Sequence, residues 1–284
     1  MDPRILSDRD LWMLIAAGHL NLRGADLSGA RLERANLAGA NLERATLAGA
    51  QLAGANLKGA NLAGADLSRA DLKGANLTGA DLTEAFLKGT QLWGAYLEAA
   101  ILEWTFLEGA YLEWAYLKRA QLTGAYLKGT NLTGADLEAA HLKGANLTGA
   151  HLRGAEMTGA SLEWAALEWT HLEGATLAAA NLHGANLTGA DLSGANLSGA
   201  RLREARLTGA DLTDARFEGA DLTGADFERA ELRGVIFSPE QTRALSGAET
   251  ATRATPVQRV TEREAEPEPA AGPTPPFASG SATP

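Results

Sequence analysis

Five histidines are present, His19, His141, His151, His171 and His183, and two of them belong to a regular series. His151, His171 and Asp191 follow one another at intervals of twenty residues. Two imidazoles and a carboxylate can ligate a divalent transition metal, provided the fold converges them on one ion. No other chemistry-bearing pattern is complete. The sequence has no phosphate-cradling glycine loop, no His-Glu-x-x-His pair and no calcium loop. It has no cysteine, which removes disulfides and thiol catalysis. Asn-Leu-Thr or Asn-Leu-Ser triplets begin at Asn76, Asn131, Asn146, Asn186 and Asn196. They match a glycosylation pattern, but they are by-products of a repeat, and nothing directs the chain to a secretory route.

These groups are positioned by a period of five. Leu or a near substitute occupies every fifth residue from Leu22 to Phe237, 44 positions without insertion or skip. The substitutes are Met157, Phe217, Phe227 and Phe237. Ala stands two residues earlier, replaced only by Leu20, Thr90, Thr105, Thr130, Thr170 and Val235. Asn or Asp commonly precedes the Leu, and Gly commonly follows it by two. A period of five fits neither an α-helix nor a flat strand. One large and one tiny inward residue per five implies a tight coil with frequent corners. Gly at a corner permits backbone angles closed to other residues. The same glycines would weaken any long helix.

These residues resemble the pentapeptide-repeat family, whose pattern is Ala-(Asp/Asn)-Leu-X-Gly or X-X. The resemblance covers about residues 20–237. It implies an all-β solenoid, a right-handed quadrilateral parallel β-helix with four repeats per coil. That makes about 11 coils and a rod roughly 50 Å long at about 4.8 Å per coil. Residues twenty apart then stack in outward columns, and His151, His171 and Asp191 lie one above another. Ladders project side chains in parallel, so convergence on an ion needs bending, and neither metal nor cofactor is expected. A core filled by Leu and Ala leaves little concavity for catalysis, and the chain is read as a non-enzyme.

The ends of a solenoid need covers. Residues 1–19 are expected to form an N-terminal capping helix, with Ser7 and Asp10 as a cap, Leu6 and Leu11 as a staple, and Gly18 as the stop. Residues 20–237 form the β-helix. Residues 238–247 are expected to form a short C-terminal capping helix that starts at Ser238-Pro239-Glu240-Gln241. Residues 248–284 hold seven of the nine prolines, and this C-terminal tail is expected to be disordered. The one apolar run outside the repeat, Leu11 to Ala17, is too short for a bilayer and has no basic flank. A cytoplasmic location without membrane contact is the expectation.

The outward columns break pattern near the middle. Phe86, Phe106 and Tyr126 share one column, and Tyr96 and Tyr116 share the opposite one. Ile101 and Tyr111 fall on the other two sides, with Trp93, Trp104 and Trp114 flanking. Trp164 and Trp169 form a second cluster. Glu98, Glu103, Glu108 and Glu113 coincide with the first band, and residues 89–117 contain no Lys or Arg, nor do residues 154–200. Exposed aromatics concentrate interface energy, so this band is the candidate partner-binding surface. Cross-strand stacking that stiffens the coils is the competing explanation. The formal net charge of −10 argues against direct nucleic-acid or anionic-lipid binding.

The expected function is a rigid interaction or structural scaffold that presents side chains to a protein partner. The family resemblance implies an alternative. Some members mimic B-form DNA and bind type II topoisomerases, so DNA gyrase becomes the alternative partner. Here the repeats carry 26 acids and 19 bases, with no strong acidic stripe on any side. The expected assembly is a monomer or an end-to-end dimer through the C-terminal coil.

Overall fold

The computed structural model describes residues 8–246. Within one repeat, each backbone N–H has a separate destination. In the repeat from Asp66 to Ala70, the Asp66 N–H donates to the previous coil at Ala45 O, 2.9 Å. The N–H groups of Leu67 and Arg69 donate to the next coil, at Phe86 O and Lys88 O. Ala70 N–H closes the turn on Leu67 O at 3.0 Å. The remaining N–H, that of Ser68, donates to the Asp66 carboxylate at 2.9 Å. All five donors are satisfied, as a polar backbone packed against neighbours requires. This gives Asn and Asp their place before Leu, since a short side-chain acceptor caps the turn's spare N–H.

These bonds fix a register of twenty. Parallel bridges join Asn21 to Asn41 at one end and Arg216 to Ile236 at the other, every outward residue between them pairing twenty residues on. A coil therefore has four sides. The first carries the Asn21 column, the second the Asp26 column, the third the Arg31 column and the fourth the Asn36 column. Each side is reduced to a single bridging residue, because the turn consumes the rest of the repeat. The Leu and Ala columns form one continuous buried core, and Leu137 is 0% exposed. Thr90, Thr105 and Thr130 replace Ala inside that core and donate their hydroxyls to Leu67 O, Leu82 O and Leu107 O at 2.8–2.9 Å. Asn columns also bond directly, as from Asn56 Nδ2 to Asn36 Oδ1 at 2.9 Å.

Two helices flank the coils, α1 (Asp8–Ala16) and α2 (Pro239–Ser246). Leu11 and Ile15 of α1 join the core. Gly18, at φ +77°, ends that helix, with His19 N–H bonded back to Leu14 O. At each end a side-chain N–H replaces a missing ladder donor. Trp12 Nε1 donates to Arg31 O at 3.0 Å, where residue 12 of a preceding coil would have donated. Gln241 Nε2 donates to Phe217 O and to Ala220 O, the latter the partner a following coil's N–H would have had. Ser238 and Gln241 cap α2 reciprocally, Ser238 N–H to Gln241 Oε1 and Gln241 N–H to Ser238 Oγ. The expected Ser7 cap, the Leu6 staple and the expected disordered tail lie outside the described residues. Among the described residues no helix is long and apolar enough to cross a membrane.

Placing a carboxylate in the closed Leu column leaves a buried charge without a partner. Leu137→Asp should lower stability by at least about 3 kcal/mol in denaturant unfolding, and an unchanged midpoint would contradict the inward column. A second expectation concerns acid. Asp221 accepts from Thr223 Oγ1 and the Thr223 N–H, which hold its carboxyl below the ordinary 3.8. A lowered folded value contributes stability above the unfolded value and loses it as pH falls from 3.8 downward. Asp221→Asn has no titrating carboxyl and loses that contribution, so its melting temperature should lie slightly below the parent's near neutrality and approach the parent's in acid.

Candidate interaction surface

The corner residue of each repeat adopts left-handed backbone angles, which is why Gly fills most corners. Four tryptophans occupy this position: Trp104 at φ 56°, and Trp114, Trp164 and Trp169 at 58°. A left-handed residue with a Cβ costs about 1–2 kcal/mol, so Trp is an expensive choice there. Corner side chains lean toward the next coil, and each Trp ring lies over the corner one coil on. That corner is Gly in every case: Gly124, Gly134, Gly184 and Gly189. A Cβ at Gly124 would lie 2.6 Å from the Trp104 ring, and similar clashes arise at the other three. Spacing alone could have revealed the pairing, since each Trp and Gly are twenty residues apart.

Despite that packing, the rings remain open to solvent, 51% for Trp104, 59% for Trp114, 56% for Trp164 and 65% for Trp169. The columns flanking them stack as the register requires. Phe86 and Phe106 have ring centroids 5.0 Å apart, and Phe106 and Tyr126 4.8 Å apart, nearly parallel. Tyr96 and Tyr116 stack on the fourth side at 5.0 Å. Tyr111 and Trp93 are exposed, while Ile101 is half-buried on the first side.

These residues do not converge on one point. The first side has only Ile101, and the third only Tyr111. Trp93 and Trp114 stand at the corner between the third and fourth sides. The second side is the richest. Phe86, Phe106 and Tyr126 run along it, Trp104 and Trp164 stand on one edge, and Trp169 stands on the other. Phe86, Trp104, Phe106 and Tyr126, with Arg44 and Glu84, line an open groove of about 620 Å³. Glu98, Glu103, Glu108 and Glu113 stand at four different corners and make no single acidic patch. Glu113 Oε1 accepts from Asn131 Nδ2 at 2.7 Å, and Glu163 and Glu168 are held by Asn181 and Asn186 in the same way.

The histidine series is brought together without convergence. His151 and His171 stack face to face, centroids 4.7 Å apart and 5° from parallel. Asp191 Oδ1 is committed to the Ser193 N–H and hydroxyl. Among the described residues no three His, Asp or Glu side chains are grouped to hold a metal ion.

Eight matches to the family described as Pentapeptide repeats span residues 21–59, 50–89, 75–113, 95–134, 135–174, 160–199, 170–209 and 200–238. The chain belongs to the pentapeptide-repeat family. Its solenoid is accordingly a right-handed β-helix. Among solved structures it is similar to HetL, a pentapeptide-repeat protein involved in heterocyst differentiation regulation in the cyanobacterium Nostoc sp. strain PCC 7120. The identity is 36%, over 83% of this chain and 98% of HetL, with a TM-score of 0.55. It is also similar to QnrB1, a plasmid-mediated fluoroquinolone resistance protein, at 21% identity over 67% of this chain and 90% of that one, with a TM-score of 0.31. A pentapeptide-repeat protein of the Arabidopsis thaliana thylakoid lumen is 31% identical over 37% of this chain and 77% of its own, with a TM-score of 0.24. No curated protein sequence matches the chain.

The Trp–Gly stacking gives a measurable coupling in this pentapeptide-repeat chain. Gly124→Ala adds both left-handed strain and a clash with Trp104, and should cost about 2 kcal/mol or more. In a Trp104→Gly background the clash is gone, so the same substitution should cost less by about 1 kcal/mol. Equal costs in both backgrounds, measured by denaturant unfolding, would show that the ring does not sit on Gly124.

Proposed function

We propose that this protein is a non-enzymatic scaffold, a stiff rod that offers the aromatic face of its second side to a protein partner. One observation carries the reading. Trp104, Trp164 and Trp169 occupy strained corners along that side where Gly is free of strain, and each residue stays more than half exposed. Stiffening alone would favour rings turned inward and corners left as Gly. Exposed Trp and Tyr over a rigid backbone are what a protein interface uses to bury area with little loss of side-chain freedom. The candidate surface is centred on Phe86, Trp104, Phe106 and Tyr126, with Trp164 and Trp169 extending it. The rod is read as about 11 coils over residues 20–237, at about 4.8 Å each. Segments 1–19 and 238–247 are read as its caps.

Gyrase, as a DNA-mimicked partner, is the second reading. It is favoured by the stretches 89–117 and 154–200, which carry acids and no Lys or Arg. Against it stands the scatter of those acids over four corners.

The test uses the full chain and a Trp104→Gly/Trp164→Gly/Trp169→Gly variant as baits for a bacterial lysate. Gly suits each corner, so the variant's melting temperature should be no lower than the parent's beyond the loss of stacking. A protein recovered by the parent and missing from an equally folded variant is the expected result. Identical recoveries, or none, would refute the aromatic face as a docking site. Purified protein added to a gyrase supercoiling assay addresses the second reading, which an unchanged supercoiling rate eliminates.

A further inference from the structure

The Phe86 and Phe106 stack stands between two open grooves. One, on the flank toward the first side, holds Trp104 and Glu84. The other lies at the corner between the second and third sides. It has a volume of about 680 Å³ and is lined by Ser68, Arg69, Lys88, Glu108 and the glycines beside them. This corner is hollow because, from Gly29 to Gly149, it is Gly in every coil except at Arg69. Arg69 takes left-handed backbone angles there, φ 59°. Its Cγ passes 3.8 Å from where a Cβ at Gly89 would stand. The Arg69 N–H donates to Lys88 O at 3.0 Å, so the two cationic residues are neighbours across one coil step.

These two charges lack the compensation found elsewhere. Four other arginines stand at corners, Arg34, Arg44, Arg119 and Arg229. Glu precedes three of them, and Arg44 and Arg229 pair with theirs at 3.9 and 3.5 Å. Arg119 follows Lys118, which is itself paired with Glu138 at 2.6 Å. Arg69 follows Ser68 and meets Lys88 in the coil ahead. The nearby acids are engaged. Asp66 accepts the Ser68 N–H at 2.9 Å, and Asp71 pairs with Lys73 at 3.6 Å. Farther along the second side, Arg203 pairs with Glu204 at 3.6 Å and Arg206 bridges to Asp226. Arg69 and Lys88 have no ion-pair partner among the described residues. Neighbouring like charges repel, and an anion between them removes that cost. Arg69 also carries left-handed strain that Gly would avoid.

The groove selects the kind of anion. Glu108 lines it too and makes no ion pair among the described residues, so the three groups sum to one positive charge. A single carboxylate neutralises that. A phosphate monoester, at about −1.5 to −2, brings excess charge toward Glu108. The Arg fork matches a carboxylate bidentately, and Lys88 adds a point charge.

We propose that a carboxylate of the docked protein partner enters this groove and is held by Arg69 and Lys88. The partner segment that covers Phe86 and Phe106 therefore carries Asp or Glu on its flank toward the third side. This rests on the reading of the second side as the docking face. In the coil of Phe86 that face runs Glu84, Phe86, Lys88 from edge to edge, and the charge order fixes the partner's orientation.

The test follows amide signals of the full chain while hydrocinnamate, a ring bearing one carboxylate, is added at constant ionic strength. Saturable shifts at Ser68, Arg69, Lys88 and Gly89 are expected. Phenyl phosphate should bind more weakly, and phenethylammonium should leave these signals unmoved. In Arg69→Gly/Lys88→Gln, binding should weaken at least about tenfold, as loss of a charge-assisted bond implies. Gly is what this corner carries in the neighbouring coils, so the variant should keep the parent's amide spectrum elsewhere. Shifts that do not saturate, or that are as large at Arg34 and Arg153, would overturn the proposal. Tighter binding of phenyl phosphate would overturn the choice of carboxylate. Lysate capture separates the two readings. A partner that depends on Trp104 yet is recovered equally by Arg69→Gly/Lys88→Gln would overturn the carboxylate contact and leave the docking face standing. Saturable shifts without any Trp-dependent partner would overturn the docking face and leave a site for small carboxylates.

Discussion

In the interior repeats, the Leu N–H and the corner N–H donate to carbonyls one coil ahead, and the N–H before Leu donates one coil back. These three bonds lock residue i over residue i+20, and every other feature depends on that lock. It stacks Leu on Leu, so the core is one unbroken column. It places Asn over Asn and ring over ring on the outside. A slip of one residue would turn Leu outward on every side at once, and for that reason 44 repeats run without an insertion.

The lock also divides the repeat into positions with and without freedom. The Leu and Ala positions are closed, and their only polar replacements are Thr residues whose hydroxyls find carbonyls, as Thr90 does at Leu67 O. The position before Leu is half constrained. Asn or Asp there satisfies the spare turn N–H, and an aromatic such as Phe106 gives up that bond. The corner is sterically constrained but faces solvent. A large corner side chain is tolerated when the coil ahead presents Gly, as Gly124 does beneath Trp104. An exposed aromatic at either of these positions therefore carries a cost, a lost turn bond before Leu or left-handed strain at the corner, and a surface selected for stability alone would avoid both.

The two ends solve one problem with different side chains. Trp12 and Gln241 each supply a side-chain N–H at a carbonyl that would have faced another coil. In each case a donor from a helix substitutes for a ladder donor at the edge. Of the four lateral sides, the second carries the densest aromatic track.

Periodicity alone determined the solenoid and the inward Leu and Ala columns, and with four repeats per coil it grouped Phe86 with Phe106 and Tyr96 with Tyr116. A strict five-residue period has few geometrical solutions, and the resemblance to known pentapeptide repeats supplied the count of four repeats per coil. Composition also marked the acidic, aromatic stretch around Trp104. Three things needed the tertiary structure. The strain at Trp104, Trp114, Trp164 and Trp169 depends on φ at the corner, which no residue type states by itself. The donors at Arg31 O and Ala220 O come from helices whose docking angle is set by packing. The last is the parallel stacking of His151 on His171, a ring orientation that their spacing does not state. Sequence sets which residues share a column; the direction each side chain takes from that column is decided by its neighbours in three dimensions.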